Sequence, residues 1–422
     1  MISHHIGLTL TLFTSLTLAM PVAALADDAK PLAGQSITVI LPSPQAETLA
    51  ADFEKVSGVK VDLQTMSWDD IRPKLVTSLI ANTAPADVTE VDWSWTGQFG
   101  AANWYEPLEG LIDQATVDDI APSSIFRANG HLIGVPYTND FRVMIINRKQ
   151  FTDAGVTGTP KTLDELVTAA KAIKAKGITQ YPIGLPLSAS EGASTAWYLL
   201  TKAFGGELFD KDLKPLFVSP DSAGYKAMAF ELQLLKDGLV DPAAVSLKDS
   251  EINETMFAQG TTSIMIGGEP GRLGQFADPA KSKIVGQFEA ILVPTLDGKT
   301  RSFGLPEALG IPASSEHKEA ALAFVKWMTS HDYQIKNFDA GFLPTRTSAL
   351  NDLNKTGRLT SGDTLVGQAP TVGALFDGGT PPWYPEFSSA VNTNLNSAAK
   401  GQITLDVAMA NIAAETEKAM KQ

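Results

Sequence analysis

Trp93, Trp95, Tyr137, Trp197 and Trp383 each lie beside Gly, Pro, Ser or Asp, in loop-like contexts rather than apolar stripes. Five acids, Asp92, Asp140, Glu191, Glu269 and Glu307, fall at predicted strand ends or loops. An aromatic face can stack on the C–H face of a pyranose ring, and a carboxylate beside it accepts hydroxyl protons on two oxygens. These residue types suit the binding of a polyhydroxylated solute. Ser43 and Gln45, after the first predicted strand, and Gly268, before Glu269 in "GGEPGR", complete the set of candidate ligand contacts. Two acids at the right separation could instead hydrolyse a glycosidic bond, so a secreted glycoside hydrolase or polysaccharide lyase is the alternative. Packing under a loop is the other reading of any one tryptophan. Trp104 and Trp327 sit in an apolar run and a helix and read as scaffold.

Other chemistries find no residues. No Gly-x-Ser-x-Gly elbow and no phosphate-cradling Gly-rich loop with Lys-Ser/Thr occurs. His131, His317 and His331 are far apart, there is no cysteine, and no acidic loop has calcium-binding spacing. Neither a metal nor another cofactor is expected. Arg142, Arg272 and Arg301 would matter for an acidic solute, although Arg142 and Arg301 read better as ion-pair partners. The net charge of −14 argues against nucleic acid or anionic lipid as partner, since both demand basic patches.

Elements that could position these residues follow from the periodicity. Ile6–Leu18 is mostly apolar but too short to span a bilayer, and Ala24-Leu25-Ala26 has the small-x-small pattern of a signal cleavage site. Cleavage after Ala26 and export are therefore expected. Ser36–Pro42, Val59–Met66 and Asp87–Asp92 read as strands, with helices at Gln45–Ser57 and Trp68–Ala81 between them. That order implies parallel strands with right-handed crossovers and a ligand beyond their carboxyl ends, at Ser43–Gln45 and "DWSW". A second α/β unit begins with a strand at Arg142–Asn147, and Thr162 with Glu165 forms a capping box for the next helix. Helices are expected near Ala193–Phe204, Ser222–Lys236, Glu316–Thr329 and from Thr404, and a strand at Thr261–Ile266. The Gly-, Thr- and Pro-containing stretch 346–382 reads as surface wrapping.

"VPYTNDFRVMIINRKQFTDAGV", "PKTLDELVTAAKAIKAKG", "MFAQGTTSIMIGG", "LGIPASSEHKEAALAFVKWMTS" and "AVNTNLNSAAKGQITLDVAM", in this order, resemble the extracellular solute-binding proteins of the sugar-binding type that feed ATP-binding-cassette importers. The resemblance implies a two-lobed α/β periplasmic-binding-protein fold of type II. Each lobe would hold a mainly parallel sheet flanked by helices. Three hinge crossings would lie near 137–140, 264–268 and 309–312. The first lobe would then be 27–137 with 268–309, and the second 140–266 with 312–422. It further implies a periplasmic monomer that performs no reaction, binds a carbohydrate and docks on membrane permease subunits. Tyr137–Asp140 would form the cleft floor before the dry strand Val143–Ile146.

Overall fold

The computed structural model describes residues 1–2, 30–376 and 379–421. Ala26, the expected cleavage position, lies outside the described residues. In chain order the strands are β1 (Ser36–Pro42), β2 (Lys60–Met66), β3 (Val88–Asp92), β4 (Arg127–Ala128), β5 (His131–Leu132), β6 (Val135–Thr138) and β7 (Val143–Asn147). They continue with β8 (Ile183–Gly184), β9 (Ile264–Gly268), β10 (Phe288–Ile291), β11 (Ser302–Phe303), β12 (Glu307–Gly310) and β13 (Val372–Gly373).

Two sheets organise the chain, in the orders β2-β1-β3-β12-β6 and β10-β7-β9-β8. β1 runs parallel to β2 and β3, as the alternating elements predict. Each sheet contains one reversed strand: β12 is antiparallel to β3 and β6, and β7 to β10 and β9. Both reversed strands follow directly on a passage between the sheets. Alternation along β7 serves two cores at once: Val143 and Ile145 face one apolar cluster, Met144 and Ile146 the other.

Thr162 and Glu165 close the predicted capping box and start the helix Leu163–Ala175. The helix Trp68–Ile80 begins on Ser67, whose side chain accepts from the Asp70 N–H.

The passages differ from expectation at two of three places. The first runs through residues 139–142, since 137–138 finish β6. The stretch 264–268 is instead β9, hydrogen-bonded on both sides within the second sheet. β10, inside the stretch assigned to the first lobe, also pairs in the second sheet. The chain returns between Phe303 and Glu307. Residues 309–310 finish β12, and the following helix Lys318–Met328 packs on β1 and β3. The third passage lies near Leu343, whose carbonyl accepts from the Asn139 N–H, with the Thr345 hydroxyl donating to the Pro136 carbonyl. These positions depend on long-range pairing, which local patterns do not carry. The stretch 346–382 is also more regular than expected. It forms the helices Thr347–Lys355 and Gly362–Gln368, the first burying Ala349, Leu350 and Leu353.

The two halves touch away from these passages. A Cβ on Gly97 would lie 1.8 Å from the Thr380 carbonyl oxygen, and one on Gly379 2.3 Å from that of Arg127. Gly379 also has a φ of 90°, so these two glycines permit a backbone approach that no side chain could.

Candidate ligand-binding cleft

Reversal of β7 and β12 decides which residues face the gap between the sheets. Forward strands present their carboxyl ends there, at Pro42-Ser43, Asp92, Thr138 and Glu269. Reversed strands present their amino ends, at Arg142 and Glu307. Three adjoining hollows result. The first, about 460 Å³, has Arg72, Asp92, Trp93 and Trp95 on one wall and Glu191, Tyr384 and Asn392 on the other. A second, about 210 Å³, shares Glu191 and Leu305 with it and adds Arg142, Asp249 and Glu269. A third, about 290 Å³, shares Glu269 and is lined by Ser43, Gln45, Trp68, Asp140, Arg272 and Glu307. A hollow of about 650 Å³ elsewhere is walled by Pro160, Ile291, Thr300 and Gly362. It lies at none of the strand ends that converge on the gap, so the three adjoining hollows form the candidate site.

Eight of the twelve candidate contacts line this cleft: Ser43, Gln45, Asp92, Trp93, Trp95, Asp140, Glu269 and Glu307. Gln45 is turned by its own amide, which donates to the Pro42 carbonyl at 2.8 Å. Trp93 is only 5% exposed; its ring meets Tyr384 edge-on at 4.8 Å and Phe303 at 5.6 Å, so it bridges the two walls. Trp95 packs beside Trp68, with ring centroids 6.1 Å apart.

The other four are corrected. Trp197 is not in a loop but inside the helix Glu191–Ala203, fully buried, its indole N–H donating to the Gly224 carbonyl at 2.8 Å. Tyr137 is fully buried beneath the floor, with its hydroxyl 2.9 Å from Glu90 Oε2 and 2.8 Å from Glu307 Oε2. Gly268 sits inside β9, where a Cβ would meet the Ile145 side chain at 2.6 Å. It is a packing glycine. Trp383 packs on Phe209 and Phe376 and lines none of the three hollows.

Residues not among the candidates complete the walls. Tyr384 is placed by the helix Tyr384–Ala399; its hydroxyl donates to Glu191 Oε1, and the Ser388 hydroxyl donates to Glu191 Oε2. Trp68, 41% exposed, offers an open aromatic face at the first turn of its helix. "PPWYPEF" and "SWDD" carry both aromatics beside turn residues, the signal that marked Trp93 and Trp95.

Charge is distributed unevenly. Arg142, nearly buried, pairs with Glu269 at 2.9 Å and lies 3.3 Å from Asp140; Arg272 Nε reaches Glu269 at 3.0 Å. Arg301 forms the expected ion pair, with Asp297, away from the cleft. Burial pushes the Asp140 carboxyl up to about 7 against the pull of Arg142. Burial likewise raises Asp92 to about 6, with the Ser94 hydrogen bonds opposing, and Glu307 to about 8, with Asp92 and Asp140 adding to the effect. Glu191 is raised by burial too. Only Glu269 is lowered: burial works against its charge, but Arg142 and Arg272 prevail. The cleft thus sets one charged carboxylate, Glu269, among carboxyls that burial inclines to keep their protons, and it offers aromatic faces from both sides.

Two α/β lobes facing each other across such a cleft make a two-lobed binding protein. The chain belongs to the bacterial extracellular solute-binding protein family, whose model matches residues 40–335. It is 28% identical over 399 residues to the diacetylchitobiose binding protein of Streptomyces coelicolor, covering 89% of this chain and 88% of that one. It is 27% identical over 402 residues to a probable amino-acid ABC transporter periplasmic-binding protein of Sinorhizobium fredii, covering 90% and 87%. An ABC transporter solute-binding protein from Thermotoga lettingae, solved with bound alpha-D-tagatose, superposes with a TM-score of 0.76 at 27% identity, covering 91% of this chain and 99% of that one. Membership in a family of binding proteins removes the hydrolase alternative.

Proposed function

We propose that this protein captures a sugar or related polyol in the cleft and delivers it to the permease subunits of an ABC importer. The observation that carries the reading is the first hollow. There Asp92, Trp93 and Arg72 from one lobe face Glu191, Tyr384 and Asn392 from the other, so a ligand held between them touches both walls. Such a ligand stabilises the closed arrangement, because only that form offers both sets of contacts. The diacetylchitobiose- and tagatose-binding relatives support the polyhydroxylated class. In this reading the first lobe is 30–138 with 305–342 and the second is 143–303 with 346–421. The protein acts as a monomer in the periplasm after cleavage at Ala26, and nucleic acid is not a partner.

A thermal-shift screen over sugars, sugar alcohols and amino acids tests the proposal, since a ligand that binds only the native state raises the melting temperature by an amount set by its concentration over Kd. A shift with sugars or polyols is expected. A shift with amino acids alone would overturn the ligand class and favour the function in the name of the Sinorhizobium relative.

A further inference from the structure

The cleft floor contains a hydrogen-bonding arrangement that its protons cannot complete as two plain carboxylates. Glu90 on β3 and Glu307 on β12 both place Oε2 within hydrogen-bond distance of the Tyr137 hydroxyl, at 2.9 and 2.8 Å. A phenol has one proton and can donate it to one of them. The other carboxyl then faces the phenol oxygen and must itself supply a proton, or two negative oxygens would crowd one lone pair in a dry site. Register brings a third carboxyl alongside, because Asp92 lies directly opposite Glu307 across β3 and β12. Like charges directly opposite each other in a sheet destabilise it. Glu90 is fully buried, and its second oxygen, Oε1, has no hydrogen-bond partner among the described residues. Glu307 reaches the third hollow.

We propose that the carboxyls of Glu90 and Glu307 share one proton through the Tyr137 phenol, so that Glu307 can meet a solute either as a charged or as a neutral acceptor. In one arrangement the Glu90 carboxyl donates to the phenol oxygen and the phenol donates to an ionised Glu307. In the other, Glu307 donates to the phenol oxygen and the phenol donates to an ionised Glu90. Passing between them moves one proton onto the phenol oxygen as its own proton leaves. No bond to carbon changes, and nothing is exchanged with solvent. A solute hydroxyl at Glu307 selects the first arrangement, where the carboxylate is charged; in the second the Glu307 proton is held by the phenol and its free oxygen is a weaker acceptor. Asp92 on β3 and Asp140 on the first passage add negative charge to the trio, and the Tyr105 hydroxyl, bonded to Thr89, lies close enough to interact with Glu90. Burial pushes Glu90 well above the ordinary carboxyl range and Glu307 to about 8, the direction that retaining a proton requires.

The role at Glu307 rests on the cleft reading, but the proton itself is testable without any solute. Glutamate labelled at the carboxyl carbon gives resonances whose position reports protonation, and Glu90 and Glu307 are assigned by Glu90→Gln and Glu307→Gln. Near neutral pH both should resonate between the ionised and protonated positions. In Glu90→Gln, whose amide can donate to the phenol oxygen in place of the carboxyl, Glu307 should move to the fully ionised position. In Tyr137→Phe the two should separate, Glu90 fully protonated and Glu307 titrating alone. Glu231, buried in the helix Ala223–Lys236 and pushed up by burial, should stay protonated in every variant and so reports that each is folded. Fully ionised signals for both Glu90 and Glu307 in the unaltered protein, or a Glu307 signal unmoved by Glu90→Gln, would overturn the shared proton and leave the proposed function standing.

Discussion

Gly97→Ala is expected to weaken solute binding without touching the cleft. The added methyl would stand 1.8 Å from the Thr380 carbonyl oxygen, whereas ordinary contact begins near 3.4 Å. The two backbones must therefore separate by about 1.6 Å at that point. Neither side can yield by rotating a side chain, since both contacting groups are main chain. Overpacking of this kind costs about 1–3 kcal/mol. Thr380 leads into the helix Tyr384–Ala399, which packs on the second lobe, while Gly97 belongs to the first. The cost therefore falls on the closed form and is relieved on opening. A coupling of that size corresponds to a roughly 5–150-fold loss of affinity. Titration calorimetry with the solute that gives the largest thermal shift measures the loss. X-ray scattering of the ligand-free variant should also give a larger radius of gyration. Gly158→Ala, where a Cβ meets nothing within 4 Å, is the control. Wild-type affinity together with a wild-type radius of gyration in Gly97→Ala would refute the assignment of this contact to the closed form.

Glu231→Met should stabilise the fold increasingly as pH rises. Both carboxyl oxygens of Glu231 lack a partner among the described residues, and burial lifts its folded pKa well above the ordinary 4.5. The folded chain thus keeps a proton that the unfolded chain releases, so stability falls by up to about 1.4 kcal/mol per pH unit from that ordinary value up to the folded pKa. Melting curves should show a small gain for the methionine variant near the unfolded pKa and a growing one toward neutral pH. A gain independent of pH would count against the retained proton. Trp197→Ala should lower stability by about 3–5 kcal/mol and leave the affinity of the folded fraction intact. Trp93→Ala should do the reverse, losing about 1–3 kcal/mol of binding on the analogy of aromatic–base stacking. Equal effects of the two variants on affinity would undo the distinction between core and cleft. Mass spectrometry of the exported protein should find Asp27 at its amino terminus, and an intact Met1 would reject the cleavage site.

Local patterning made much of the fold legible. β1 has the bounds its β-branched run predicts, and the capping box at Thr162 is present. Both the turn-rich setting and the strand-end position of Asp92, Trp93 and Trp95 single out residues that line the first hollow. Trp197 misled because the Gly, Ser and Thr before it suggest loop, although the helix expected near Ala193–Phe204 contains it. Its small residues serve packing instead: a Cβ on Gly192 would meet Asp249 at 2.3 Å, and Ser194 bonds the Ser388 carbonyl at 3.0 Å. Tyr137 misled for a different reason. Its polar end points to a buried acid, Glu90, that reads as one member of an ordinary strand until β12 and β6 are placed beside it. The second and third passages were illegible for the same reason, since which sheet takes β10 or β12 is settled by partners distant in sequence.

The place of β12 has a consequence for how the chain comes into being. It lies in the middle of the first sheet, between β3 and β6, yet it is made after every strand of the second. β3 ends at Asp92 and β12 begins at Glu307. At about 5–20 residues per second, synthesis takes roughly 10–40 s to cover that interval. Throughout it β3 and β6 have no partner between them, and the first lobe cannot close its core. Pairing so far apart in sequence is slow even once the chain is whole. A chain bound for export must stay threadable until it reaches the channel, and here the order of the strands itself supplies the delay.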